Sequence, residues 1–201
     1  MATGGSPPWR FVLGTALLVA ASLLLVRSAI ANEEERGMKI IDFAADPIPW
    51  RTIDDVVMGG VSSSRMVVED GVAVFSGRVS LDNNGGFASA RSADQHHDLS
   101  ACNGVRLKVR GDGKRYALRL RTLDARDGVS YLMRFETEVG EWQEIVLPFA
   151  GFVPSFRGRV VEGHPPVDPA RVCGLGLLIA DRQAGPFRLE LAWIEGVREG
   201  T

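Results

Sequence analysis

Little in this sequence is equipped to break bonds. Its 201 residues hold two cysteines and three histidines, and neither an HExxH nor a CxxC spacing occurs, so no zinc framework is in view. His96-His97-Asp98 is the one place where histidines adjoin; with only His164 elsewhere, it reads as a solvated turn rather than a metal site. No GxSxG elbow presents a nucleophilic serine, and Ser62, Ser63 and Ser64 have no base partner in the sequence. No helix pattern follows Gly111-Asp112-Gly113, which argues against a phosphate loop. The chain is therefore read as a non-enzyme, and no cofactor is expected. Charge is scarce in bulk: a formal net charge of −2 gives no general attraction to nucleic acid. Helical periodicity is almost missing beyond residue 31. The exception is Asp168-Pro169-Ala170-Arg171, where an Asp cap followed by Pro starts a single turn.

No apolar run reaches the roughly 20 residues of a spanning helix. The nearest is Phe11 to Val26, preceded by Arg10 and followed by Arg27, Ser28 and Ala29-Ile30-Ala31. That is the layout of a secretory signal, with a charged start, an apolar middle and an A-x-A site. The expectation is a signal peptide or N-terminal membrane anchor over residues 1–31, a linker over 32–38 and one domain over 39–197. It carries with it a periplasmic or extracellular protein, or one anchored in a membrane through residues 11–26. Cys102 and Cys173 both fall in the domain. In an exported protein they could form a disulfide, although each also precedes an apolar run where buried free thiols are common.

Strand alternation fills the rest of the chain. Lys39 to Phe43 reads as a first strand, broken by Pro47 and Pro49. Met66-Val67-Val68, a turn at Glu69-Asp70-Gly71 and a return from Val72 to Leu81 read as a hairpin. Val105, Leu107 and Val109 alternate with Arg106, Lys108 and Arg110; Tyr116, Leu118 and Leu120 alternate with Ala117, Arg119 and Arg121. Tyr131, Met133 and Phe135 repeat the pattern, Trp142, Glu144 and Val146 repeat it less cleanly, and Leu175, Leu177, Ile179 and then Phe187, Leu189, Leu191 and Trp193 complete it. Period two with one apolar face is the half-buried antiparallel strand. Many short strands punctuated by Gly and Pro give an all-β sandwich or barrel, with Trp50, Trp142 and Trp193 assigned to its core. Residues 148–166 form a long irregular segment holding three phenylalanines, expected to pack down as a lid or edge.

The chain is organised around two glycine pairs, Gly59-Gly60 in DDVVMGGVSSS and Gly85-Gly86 in LDNNGGFASARS. Each pair permits positive φ, and so marks a tight bend or a close backbone approach. These segments, with Trp50 ahead of them and GVRLKVRGDGKRYALRLRT, GEWQEIVLPFAGFVPSFRGR and LGLLIADRQAGPFRLELAWI behind, resemble the complex I intermediate-associated protein 30 family, in order and from about Lys39 to Glu195. The resemblance implies a galactose-binding-like β-sandwich, or jelly roll, and a role in assembling respiratory complex I, with no catalytic set to carry over.

Two surfaces emerge as candidates. At the glycine loops, Asp54, Asp55, Ser62, Asn83, Asn84 and Arg91 could present hydrogen-bonding groups to a ligand or partner, or the loops could be turn chemistry alone. A calcium ion held by Asp54, Asp55 or Asp82 is a further alternative. The second surface is a basic row, Arg106, Lys108 and Arg110 with Arg119 and Arg121 on the neighbouring strand. Like charges opposed in this way need compensation, from Glu136, Glu138 or Glu190, or from an anionic ligand or acidic protein surface. The functional reading is a binding protein, a scaffold or chaperone for subunits of a membrane-associated complex, with a carbohydrate-binding module for envelope or extracellular glycan as the alternative.

Overall fold

The computed structural model describes Met1 and residues 37–124 and 128–198. The expected N-terminal leader helix, its cleavage pattern and nearly all of the expected linker lie outside the described residues. Thirteen strands occur among those that are described. They are Met38–Asp42 (β1), Trp50–Thr52 (β2), Ser63–Glu69 (β3), Val72–Val79 (β4), Ala88–Ser92 (β5), Gly104–Arg110 (β6) and Arg115–Thr122 (β7). Ser130–Glu136 (β8), Trp142–Pro148 (β9), Val153–Phe156 (β10), Arg159–Val160 (β11), Val172–Ile179 (β12) and Gly185–Val197 (β13) follow. One sheet runs β3-β4-β13-β6-β9 with β1 also on β13; the other runs β11-β10-β8-β7-β12-β5-β2. All pairings between these strands are antiparallel. The fold is thus a two-sheet β-sandwich.

Alternation decides which side chains meet between the sheets. Ala73 and Phe75 of β4, Val105, Leu107 and Val109 of β6, and Leu189 and Leu191 of β13 are wholly buried. They share one core with Tyr116, Leu118 and Leu120 of β7 and Leu175, Leu177 and Ile179 of β12. Removing such side chains from water contributes about 1.5–3 kcal/mol each, which is what commits every strand to one register. The β3–β4 hairpin turns at Asp70 (φ 50°) and Gly71 (φ 76°), as the Asp-Gly pair requires.

Two expectations about strand faces are corrected. Arg106, Lys108 and Arg110 do not neighbour Arg119 and Arg121, because the Gly111–Lys114 turn carries the chain from β6 in the first sheet to β7 in the second. Asp112 ties that corner, accepting from the Tyr116 hydroxyl at 2.9 Å and from the Arg188 N–H of β13 at 2.9 Å. Nor are all three tryptophans core. Trp142 faces outward and is exposed, because β9 turns Ile145 and Leu147 inward. A bulge between Leu191 and Trp193 resets the alternation of β13, so Ile194 is buried and Trp193 sits outside under Arg106 and Lys39. Trp50 is partly buried against Phe43.

The segment at 148–166 is the edge of the second sheet. Phe149 and Phe152 are buried, whereas Phe156 is exposed. Asp168 caps its short turn by accepting from the Ala170 N–H at 3.0 Å. Cys102 lies in the loop before β6 and Cys173 on β12 of the opposite sheet; both are free thiols.

Candidate functional site

The two glycine loops meet on a single carboxylate. Asp55 opens a short 3₁₀ turn, Asp55–Met58, and is fully buried. Its Oδ1 accepts from the Ser62 N–H at 2.9 Å, and its Oδ2 accepts from the Ser62 hydroxyl at 2.5 Å, the Gly86 N–H at 2.7 Å and the Phe87 N–H at 3.2 Å. Ser62 is buried too, and its hydroxyl accepts from the Ser80 N–H at 2.9 Å. Burial alone would push the Asp55 carboxyl up. The bonds from the Ser62 hydroxyl and from the Gly86, Ser62 and Phe87 amides outweigh it, so the group is held below the ordinary carboxylate value. Beside it, Asp54 accepts from the Ser64 hydroxyl at 2.6 Å and the Ser89 N–H at 3.3 Å.

The glycines of each pair divide two tasks. Gly59 (φ 90°) and Gly86 (φ 139°) take backbone angles that side chains disfavour. Gly60 and Gly85 are needed for space: a Cβ on Gly85 would stand 2.6 Å from Asp55 Oδ2, and one on Gly60 would collide with the same carboxylate.

The candidate residues therefore separate. Asp54, Asp55 and Ser62 work from beneath: both Asp55 carboxylate oxygens, the Ser62 hydroxyl and Asp54 Oδ1 are already engaged with the chain itself. Asn83 (φ 54°) and Asn84 (φ 60°) are exposed at the tip of the second loop, in the left-handed region that Asn tolerates. Arg91 is on β5, facing out from the second sheet. What the sequence reading passed over is the turn between Asp55 and Ser62. Val56, Val57, Met58 and Val61 are 61%, 71%, 63% and 53% exposed. The available signal was an apolar run without strand alternation, directly after an acidic pair.

The other candidates are distributed elsewhere. In the basic row, the β6 half is neutralised. Arg106 donates to Glu195, Arg110 donates to Glu190, which also accepts from Arg188 at 2.9 Å, and Lys108 lies 3.9 Å from Glu144. Glu136 is on β8, beside Arg115. His96 Nε2 lies 2.8 Å from the Ala170 carbonyl, and the His97 N–H donates to the Val172 carbonyl at 2.7 Å. Among the described residues no three His, Cys, Asp or Glu are grouped to hold an ion.

A family model for complex I intermediate-associated protein 30 matches residues 41–191. A Caenorhabditis elegans protein named as a probable mitochondrial complex I intermediate-associated protein 30 is 32% identical over 162 residues, 71% of this chain and 47% of that one. The mouse mitochondrial protein of that name is 29% identical over 102 residues, covering 49% of this chain and 31% of its own. The chain thus spans less than half the length of both. Among solved structures, a family 11 carbohydrate-binding module of a Clostridium thermocellum cellulosomal cellulase aligns over 82% of this chain and 97% of its own, with a TM-score of 0.56 and 16% identity. At that identity the likeness is one of fold.

These relatives correct the expected compartment. The pattern in residues 1–31 suggested export or membrane anchoring, whereas the mouse and nematode proteins are mitochondrial by name. An acid-poor, Arg- and Ser-bearing leader is common to secretory and mitochondrial targeting, so the pattern did not decide between them. Among the described residues no helix is long and apolar enough to cross a membrane.

Proposed function

Because this chain belongs to the complex I intermediate-associated protein 30 family, we propose that it is a non-catalytic binding factor that holds complex I subunits during their assembly. The observation that carries the reading is the apolar tip formed by Val56, Val57, Met58 and Val61 on a base fixed by Asp55. Exposed apolar side chains gathered on one turn mark a contact surface. A rigid base lowers the ordering cost when a partner covers them, and Asn83 and Asn84 supply a polar border. The names of the family's curated relatives support subunits of complex I as the partner.

The glycan alternative has the fold neighbours behind it, but each exposed aromatic ring among the described residues lies under an arginine, Phe156 under Arg157 at 5.2 Å. Trp142 is exposed, but the Arg110 guanidinium covers its ring at 5.0 Å.

The test is affinity capture of the tagged full chain from cells that contain complex I, beside Val57→Asp and Met58→Asp. Complex I subunits are expected with the wild type and are expected to be lost with either variant while the melting temperature is unchanged. Equal recovery with the variants, or recovery of no complex I subunit, overturns the reading.

A further inference from the structure

The outward face of the second sheet carries arginines that have no acidic partner among the described residues. Register places Arg51 beside Arg91, Arg91 beside Gly176 and Gly176 beside Arg119. On β12 this row has no side chain. A Cβ on Gly176 would stand 3.5 Å from Arg119 Cβ and 3.8 Å from Arg91 Cγ, and one on Gly174 would collide with the Arg121 guanidinium. Glycine inside a central strand weakens it; here the two glycines make room for arginine side chains to lie across β12. The Nε atoms of Arg91, Arg119 and Arg121 are all buried without a hydrogen-bond partner.

Compensation reaches only the rim of this group. Arg121 donates to Asp94 and to the Ser92 carbonyl, while Arg51, Arg91 and Arg119 have no acidic partner among the described residues. Burial pushes the Arg119 guanidinium down to about 10, and the charges of Arg91 and Arg121 add to the effect. Arg91 is lowered by burial and then by Arg121 and Arg51. Three cations that repel one another, in a protein of formal charge −2, do not come from bulk composition. Beyond Arg119 the same face turns apolar: Arg119 pairs with Leu132 and Leu132 with Val153, and Leu132 clusters with Ala117, Leu178 and Phe87.

We infer that this face is a second binding site, separate from the glycine-loop tip, for an extended acidic peptide segment that also carries an apolar side chain. Carboxylates lie over Arg91 and Arg119, and the apolar group lies against Val153, which is exposed beyond the buried Leu132. The guanidinium fork matches a carboxylate with two parallel bonds. Strands in a sheet are about 4.8 Å apart, so Arg91 and Arg119, two strands apart, are about 10 Å apart; carboxylates two residues apart share one face of an extended chain, about 7 Å apart at Cα, and their side chains splay to cover the rest. A neutral glycan would leave every one of these charges uncompensated.

The experiment is fluorescence anisotropy of the full chain with a dye-labelled peptide rich in Glu and carrying a single Leu. Controls are the same peptide with Lys for Glu, and inorganic phosphate as competitor. Saturable binding of the acidic peptide alone is expected, weakened by salt. Arg91→Met and Arg119→Met are each expected to weaken it at least about tenfold, the equivalent of one charged hydrogen bond. The melting temperature of both variants is expected to hold or rise, since a repelling charge has gone; a merely structural role predicts a fall. Should Arg119→Met not fold, Arg51→Gln, at an exposed position, gives the same readout. Undiminished binding by the variants, equal binding of the Lys peptide, or full displacement by equimolar phosphate overturns the inference. Because Val57→Asp is expected to bind the peptide like the wild type, failure here is distinguishable from failure of the tip.

Discussion

Asp55 shows how one side chain can decide a local structure. A carboxylate taken out of water costs several kcal/mol unless its lone pairs are satisfied; this one accepts four hydrogen bonds. Replacing it with Asn turns two donors toward other donors, and Asp55→Asn is expected to lose about 3 kcal/mol in chemical denaturation. The pH dependence follows from the direction of its shift. A carboxyl held below its unfolded value stabilises the fold above the ordinary carboxylate range, and that contribution disappears as pH falls through the folded value. Acid titration followed by circular dichroism should show the loss in the wild type; in Asp55→Asn that part of the acid limb should be missing. The acidic pair was visible in the sequence as a candidate site. Its use was not, because the Gly86 and Phe87 donors are 31 and 32 residues downstream, and no local pattern links positions so far apart.

At the scale of the element, alternation was easy to see and partnership was not. Each apolar stripe on β4, β6, β7, β12 and the first part of β13 faces the core as its period requires. A turn such as Gly111–Lys114, however, bends the chain alike whether the next strand pairs with the last or joins the opposite sheet. The basic row therefore divided: the β6 half lies among acids, while in the β7 half Arg121 reaches Asp94 and Arg119 has no acidic partner among the described residues. In the neutralised half, Glu190 is buried and serves both Arg110 and Arg188. Glu190→Ala strands two partly exposed cations on one face; it is expected to lower stability by about 2 kcal/mol, less than a fully buried pair would lose. Unchanged urea denaturation would show that solvent already screens these charges. The β13 bulge is a similar case, since one inserted residue reverses every later side chain without disturbing composition.

For the whole molecule, the core closes by shape alone. The wholly buried side chains come from both sheets and need no covalent tie, and Cys102 and Cys173 remain thiols. Burial raises both thiols above their ordinary value, slightly offset at Cys102 by Arg198 and at Cys173 by Arg121, which keeps the reactive thiolate scarce at neutral pH. Alkylation of the native protein should be slow at both positions, and the melting temperature should be the same with and without reductant. A fall on adding reductant would reveal a bridge. The class of the fold was legible because burial is collective and strand period reports it; the compartment was not, because leaders for different membranes share their composition.

The knot at Asp55 also has a mechanical side. Tension applied at Met58 can reach Asn84 through one carboxylate rather than along the intervening backbone, because the Ser62, Gly86 and Phe87 amides all grip that group. A subunit leaning on either loop would move both, like a tooth set in a single root, and would feel that root loosen only when a proton reached it.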